Sequence, residues 1–199
     1  MKKFTSITFL ILIYFLNLQA SNLKLEEIIN SLDNPWSLTF VGDNRILVTE
    51  KTGNLLLINL NNKKLKKINH NLNILVDGQG GLLEVLYFNK QVYVSYSENR
   101  KEGNSSTSVA TAKFDDRELN FRNIFRAKPA INSGYHFGSR LVIKDDYIYI
   151  SAGERGVGMI AQDPKKHPGS IIRIHLDGKI PKDNPKFIDK KDWLPEIYQ

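Results

Sequence analysis

Cysteine is missing from all 199 residues, which excludes disulfides and a lipid anchor on a cleavage-site thiol. The fold must therefore hold by burial alone. Long apolar runs are missing too. The stretch at residues 9–16 is shorter than the roughly 20 residues a membrane-spanning helix needs. It follows Met1-Lys2-Lys3 and precedes Leu18-Gln19-Ala20-Ser21. A basic start, a short apolar core and a small residue at its end form the pattern of a secretory signal peptide, here residues 1–20. An exported protein, periplasmic or extracellular and without a membrane span in its mature form, is expected. Helical apolar spacing is scarce, and only residues 23–32 hint at a short helix. The net charge is +7, yet the lysines are scattered or sit in turn-like runs such as Asn61-Asn62-Lys63-Lys64 and Asp189-Lys190-Lys191-Asp192. They do not cluster with aromatics as a nucleic-acid surface would, so no nucleic-acid partner is expected.

What is present is a series of short apolar or alternating runs separated by Gly, Asn and Asp, the signature of an all-β chain. The runs fall into three similar groups. The first holds 36–41, 45–50, 55–59 and 65–68, and the second holds 82–88, 92–97, 108–114 and 121–125. The third holds 140–143, 147–151 and 170–175. Gly42-Asp43-Asn44, Asn89-Lys90-Gln91 and Lys144-Asp145-Asp146 each separate the first two runs of a group, with residues that suit hairpin turns. Phe40 to Phe88 is 48 residues and Phe88 to Ile143 is 55. A period near 50 residues with up to four strands points to β-propeller blades. A sandwich also has many short strands but gives no reason for hairpins recurring at this interval. Propellers close with about four to eight blades, and these runs supply about three, so an incomplete ring is expected. An open arc leaves strand edges unpaired.

Within the third group, Ser133-Gly134-Tyr135-His136-Phe137-Gly138-Ser139-Arg140-Leu141 sets a histidine just before one strand. Tyr147-Ile148-Tyr149-Ile150-Ser151-Ala152-Gly153-Glu154-Arg155-Gly156 sets a carboxylate just after the next. Antiparallel pairing of the two strands brings these ends together. A carboxylate beside an imidazole fixes its tautomer for proton abstraction. A loop histidine hydrogen-bonded for structure is the plain alternative.

Motifs along residues 21–199 together resemble the N-terminal half of the soluble pyrroloquinoline quinone (PQQ)-dependent aldose sugar dehydrogenases, the glucose/sorbosone dehydrogenase family. They are Asn34-Pro35-Trp36-Ser37-Leu38-Thr39-Phe40, Arg45-Ile46-Leu47-Val48-Thr49-Glu50, Gly78-Gln79-Gly80-Gly81-Leu82-Leu83-Glu84-Val85, the run from His136 to Leu141, and Gly153-Glu154-Arg155-Gly156. Ala161-Gln162-Asp163 and Gly178-Lys179-Ile180-Pro181-Lys182-Asp183-Asn184-Pro185 complete the set. The resemblance implies a six-bladed propeller of roughly twice this length, with PQQ and a calcium ion at the channel mouth and an aldose above them. It implies that His136 takes the anomeric proton while hydride passes to the quinone. Glu154 would orient that histidine, Gln79 would hydrogen-bond at the sugar and cofactor site, and Arg140 would serve there or be structural. The family's arginine–asparagine pair, calcium loop and later basic residues find no counterpart among these motifs. The chain alone is therefore expected to be inactive. Its alternative is a non-catalytic half-propeller that self-associates or pairs with a separate C-terminal half.

Other signals read as structural. His70, His167 and His175 lack metal-ligand spacing and are expected on the surface or in turns. Asp115-Asp116, Asp145-Asp146 and Asp183 lack the ligand spacing of a calcium loop, so no metal site is expected here. Gly80 and Gly81 serve a turn or a close backbone approach. Asn104-Ser105-Ser106 fits an N-glycosylation triplet. Gly153 to Gly158 looks phosphate-loop-like but lacks Lys-Ser/Thr. Trp36, Tyr93, Tyr147 and Tyr149 are expected in blade cores.

Overall fold

The computed structural model describes residues 23–186 and 192–199, so the expected signal segment 1–20 lies outside the described residues. Three antiparallel meanders follow one another along the chain. The first is β1 (Pro35–Phe40), β2 (Arg45–Glu50), β3 (Leu55–Asn59) and β4 (Leu65–His70). The second is β5 (Leu82–Phe88), β6 (Gln91–Asn99), β7 (Ser105–Lys113) and β9 (Arg122–Arg126). The third is β10 (Gly138–Lys144), β11 (Tyr147–Ala152) and β12 (Ile171–His175). A two-residue β8 (Glu118–Leu119) leaves the second group and pairs parallel with β4. Among the described residues there is no α-helix, and none is long and apolar enough to cross a membrane.

The middle sheet is buried on both faces, and the side-chain period of two explains how. Val92, Val94 and Tyr96 of β6 join Leu47, Leu55, Leu57 and Ile68 of the first sheet in one core. Tyr93 and Val109 turn the other way, to Leu141, Ile148, Ile150, Ile172 and Ile174 of the third sheet. The three sheets therefore stack face to face as successive blades, with β1, β5 and β10 as neighbouring first strands.

Each of those first strands carries a bulge, at Pro35/Ser37, Leu82/Val85 and Gly138/Leu141. A hydroxyl on the second strand stands opposite every bulge. Thr49 Oγ1 accepts from Ser37 N at 3.2 Å, Ser95 Oγ from Glu84 N at 3.1 Å and Ser151 Oγ from Arg140 N at 3.0 Å. Two of these hydroxyls also donate across to the next blade, Thr49 to Leu83 O at 2.5 Å and Ser95 to Ser139 O at 2.6 Å. Bulges free backbone groups from the ladder, and here one hydroxyl satisfies its own blade while bonding its neighbour. Ser95→Ala leaves a buried N–H and carbonyl unpaired and is expected to cost about 2 kcal/mol. Ser151→Ala, which loses one bond on a half-buried side chain, should cost less. Urea unfolding of the two variants checks the order.

Some expectations need correction. Residues 23–32 form no helix. Ile29 and Leu32 lie against Ile46, Val48, Leu56 and Ile58 on the outer face of the first sheet, while Leu23 and Leu25 are exposed. A ten-residue helix is marginal alone, and this segment buries only those few side chains. Trp36 is not blade core: it is 42 % exposed, and Leu38 and Phe40 are more so; Trp36 and Leu38 line an open cleft with Ile28, Ile29 and Leu32. Tyr93 is buried as expected, whereas Tyr147 and Tyr149 are half-buried. The last strand of the second sheet begins at Arg122 rather than Phe121. In the third sheet Ile197 bridges Ile172, so the last residues take the position a fourth strand would occupy.

Candidate active site

β10 and β11 pair with Gly138 opposite Ala152, so the residues just outside them, His136 and Glu154, meet across the open end of the hairpin. His136 Nδ1 bonds Glu154 Oε1. A carboxylate can only accept, so Nδ1 carries the proton and, in the neutral ring, Nε2 is the acceptor. Glu154 also accepts from Gly156 N at 3.2 Å. The hydrogen bond from His136, with that backbone N–H, holds the Glu154 carboxyl below its usual range. The acid therefore keeps its charge to a lower pH than a free glutamate would. The His136 side chain is 52 % exposed and that of Glu154 30 %. The proton acceptor thus faces solvent and its partner lies further in.

The backbone around the pair is unusual. His136 (φ 47°), Ser139 (φ 70°) and Arg155 (φ 60°) all adopt left-handed conformations, which side chains other than glycine rarely hold without compensation. The compensation is visible. His136 N donates to Gln79 Oε1 at 2.9 Å, and Gln79 N donates to Gly134 O at 2.7 Å. Gly153 N donates to Phe137 O at 3.1 Å and Arg155 N to His136 O at 3.2 Å. Gly153 must be glycine for space: a Cβ there would run into the His136 carbonyl and stand 2.9 Å from Gly138 N.

Of the four residues expected at the site, His136, Glu154 and Gln79 come together. Gln79 does so through the His136 backbone rather than through its ring. Arg140 goes elsewhere: its guanidinium, 65 % exposed, pairs with the buried carboxylate of Glu84. Glu84 Oε1 also accepts from Ser37 Oγ at 2.8 Å, so Ser37, Glu84 and Arg140 run across the three first strands as one polar row. Glu84 was not singled out by sequence, although it stands at the bulge of its strand as Arg140 does. Gly81 serves packing between blades, since a Cβ there would strike the Lys51 carbonyl, and Gly80 backs onto Phe137.

The remaining candidates are structural. His70 accepts Leu72 N on Nδ1 at 3.3 Å and faces Gly53 O with Nε2 at 2.8 Å, and His175 stacks beside Tyr147. His167 corrects the surface-or-turn expectation, being 1 % exposed. Its Nδ1 accepts Lys128 N at 3.0 Å and its Nε2 faces Glu196 Oε1 at 3.3 Å, so the ring ties three segments together. Ser106 of the glycosylation triplet is buried, bonding Arg100 and Ser108. Asp115 caps its own turn through Arg117 N at 2.8 Å and Asp183 pairs with Arg173. Among the described residues no group of three or more His, Asp or Glu could hold a metal ion.

The chain that carries this hairpin-end dyad is similar to several known proteins. The aldose sugar dehydrogenase YliI of Escherichia coli is 32 % identical over 188 residues, covering 89 % of this chain and 50 % of that protein. Quinoprotein glucose dehydrogenase B of Acinetobacter calcoaceticus is 28 % identical, covering 87 % and 43 %. The solved soluble aldose sugar dehydrogenase of Escherichia coli, in its apo form, superposes with a TM-score of 0.78 at 34 % identity, covering 83 % of this chain and 50 % of that one. The chain thus spans about half the length of the relatives it matches. The glucose/sorbosone dehydrogenase family description fits residues 32–199, a span that takes in all three sheets and the dyad, and the chain belongs to that family.

Proposed function

We propose that the chain is the proton-handling part of an exported quinoprotein aldose dehydrogenase, with His136 as general base, Glu154 as the carboxylate that orients it and Gln79 as the residue that seats its backbone. One observation carries the reading: His136 gives its Nδ1–H to Glu154, which leaves Nε2 as a proton acceptor on a ring half open to solvent. An anomeric hydroxyl placed at Nε2 would lose its proton there while the hydride on the same carbon leaves for a two-electron acceptor, converting the hemiacetal to a lactone. PQQ is the acceptor the family resemblance implies, and the quinoprotein among the relatives carries that chemistry in its name.

The described residues do not by themselves fit a quinone bearing several carboxylates. The guanidinium of Arg155 is enclosed by backbone, Arg140 is held by Glu84, and Lys51 Nζ is bonded to Gly78 O at 2.6 Å. Each of these cations is thus already engaged within the chain. Protein purified from its native source and given PQQ, calcium and an aldose should show sugar-dependent dye reduction, with residues 1–199 alone giving a trace at most. No turnover with any aldose would overturn the reading, and full turnover by residues 1–199 would overturn the division of the site.

A further inference from the structure

Among the described residues, five buried side chains carry formal charge: Glu50, Glu84, Glu98, Arg155 and Arg173. Arg173 meets Asp183 at 2.8 Å, Glu98 meets Arg126 at 2.9 Å and Glu84 meets Arg140. Arg155 is the buried arginine for which no ion pair within 4 Å is found among the described residues. It is 2 % exposed, and burial lowers its pKa to about 10. Asp77 acts on it through space without forming an ion pair, and a buried cation left unpaired is costly.

The guanidinium is instead satisfied by the backbone that carries His136. Its Nε donates to Tyr135 O at 2.9 Å and its Nη2 to Ser133 O. Nη1 donates to Ser105 O and Nη2 to Ser105 Oγ, both at 2.9 Å, which anchors the cluster on β7 of the neighbouring blade. The plane lies 3.7 Å over the ring of Phe137. Arg155 N closes the set on His136 O at 3.2 Å. Residues 135, 136 and 137 are thus each held by Arg155, which itself directly follows Glu154. One residue fixes both partners of the dyad.

From this arrangement we infer that Arg155 is the positioning residue that holds His136 against Glu154 and so sets its tautomer. The inference rests on the dyad being the base of the proposed reaction, but its test does not. Lysine cannot replace it, because a single ammonium cannot span Ser133, Tyr135 and Ser105 while stacking on Phe137.

The test is the imidazole 15N spectrum of the intact protein labelled at histidine, with His136 assigned by His136→Gln. Wild type should show His136 in the Nδ1–H form. His70, which accepts on Nδ1 and donates from Nε2, gives the opposite form as an internal reference. In Arg155→Met and Arg155→Lys the Nε2–H fraction of His136 should rise at least tenfold, with His70 unchanged. If His136 keeps the Nδ1–H form in Arg155→Met while the unfolding midpoint falls, Arg155 is merely structural and the inference is overturned. Should both variants fail to fold, Ser105→Ala removes only the hydroxyl acceptor. A smaller shift of the same sign then supports the inference, and none overturns it. Unchanged sugar oxidation by a variant that shows the tautomer shift would sink the proposed function and leave this inference standing.

Discussion

In the protein as purified from its native source, His136→Gln should lower sugar oxidation by about 10²- to 10⁴-fold, the usual worth of a positioned general base, while leaving the fold and the binding of quinone unchanged. Glutamine keeps a polar side chain of similar reach but cannot accept a proton at neutral pH. The ring's hydrogen bond to Glu154 lies at a site half open to solvent, so little core packing is lost and the unfolding midpoint should hardly move. The His136 backbone bond to Gln79 does not depend on the side chain and should survive. Steady-state turnover beside a quinone titration separates the two effects. Turnover equal to wild type would remove His136 from the mechanism, and loss of quinone binding would make it a ligand rather than a base.

Gly153→Ala should damage both stability and site. The added Cβ meets the His136 carbonyl and stands 2.9 Å from Gly138 N, and neither is the movable end of a side chain. Overpacking of this kind costs about 1–3 kcal/mol. The movement that relieves it must part the His136 strand from the Glu154 strand, breaking the Gly153 N to Phe137 O bond of 3.1 Å. Turnover should therefore fall far more than stability does. Thermal unfolding read together with turnover checks this, and a variant with wild-type turnover would show that the hairpin end tolerates a wider spacing.

Much of the arrangement was legible because strand chemistry is local. Alternating apolar residues, turn residues between runs and the spacing of about 50 residues placed the sheets within one to three residues at most ends. The same reasoning put His136 beside Glu154, since antiparallel pairing of two adjacent strands dictates it. The family motifs added the expected roles for Gln79 and Arg140. Reading failed where the outcome depends on distant surfaces. Trp36 and the 23–32 segment carry core-like residues, but burial depends on whether another face arrives to cover them. The parallel pairing of β8 with β4 joins segments about 50 residues apart with no turn between them to signal it.

By itself the sequence determined the all-β class, the repeat, the hairpins and the approach of a histidine to a carboxylate. All of these follow from patterns within tens of residues. Only the tertiary structure decided that Arg155 is buried under the His136 loop, that Glu84 pairs with Arg140, and that Ser95 bonds two blades at once. These are matters of which polar groups must find partners when sheets close on one another, and a buried donor takes whatever acceptor the packing brings within reach. Residues far apart in sequence settle that choice, so no local pattern encodes it.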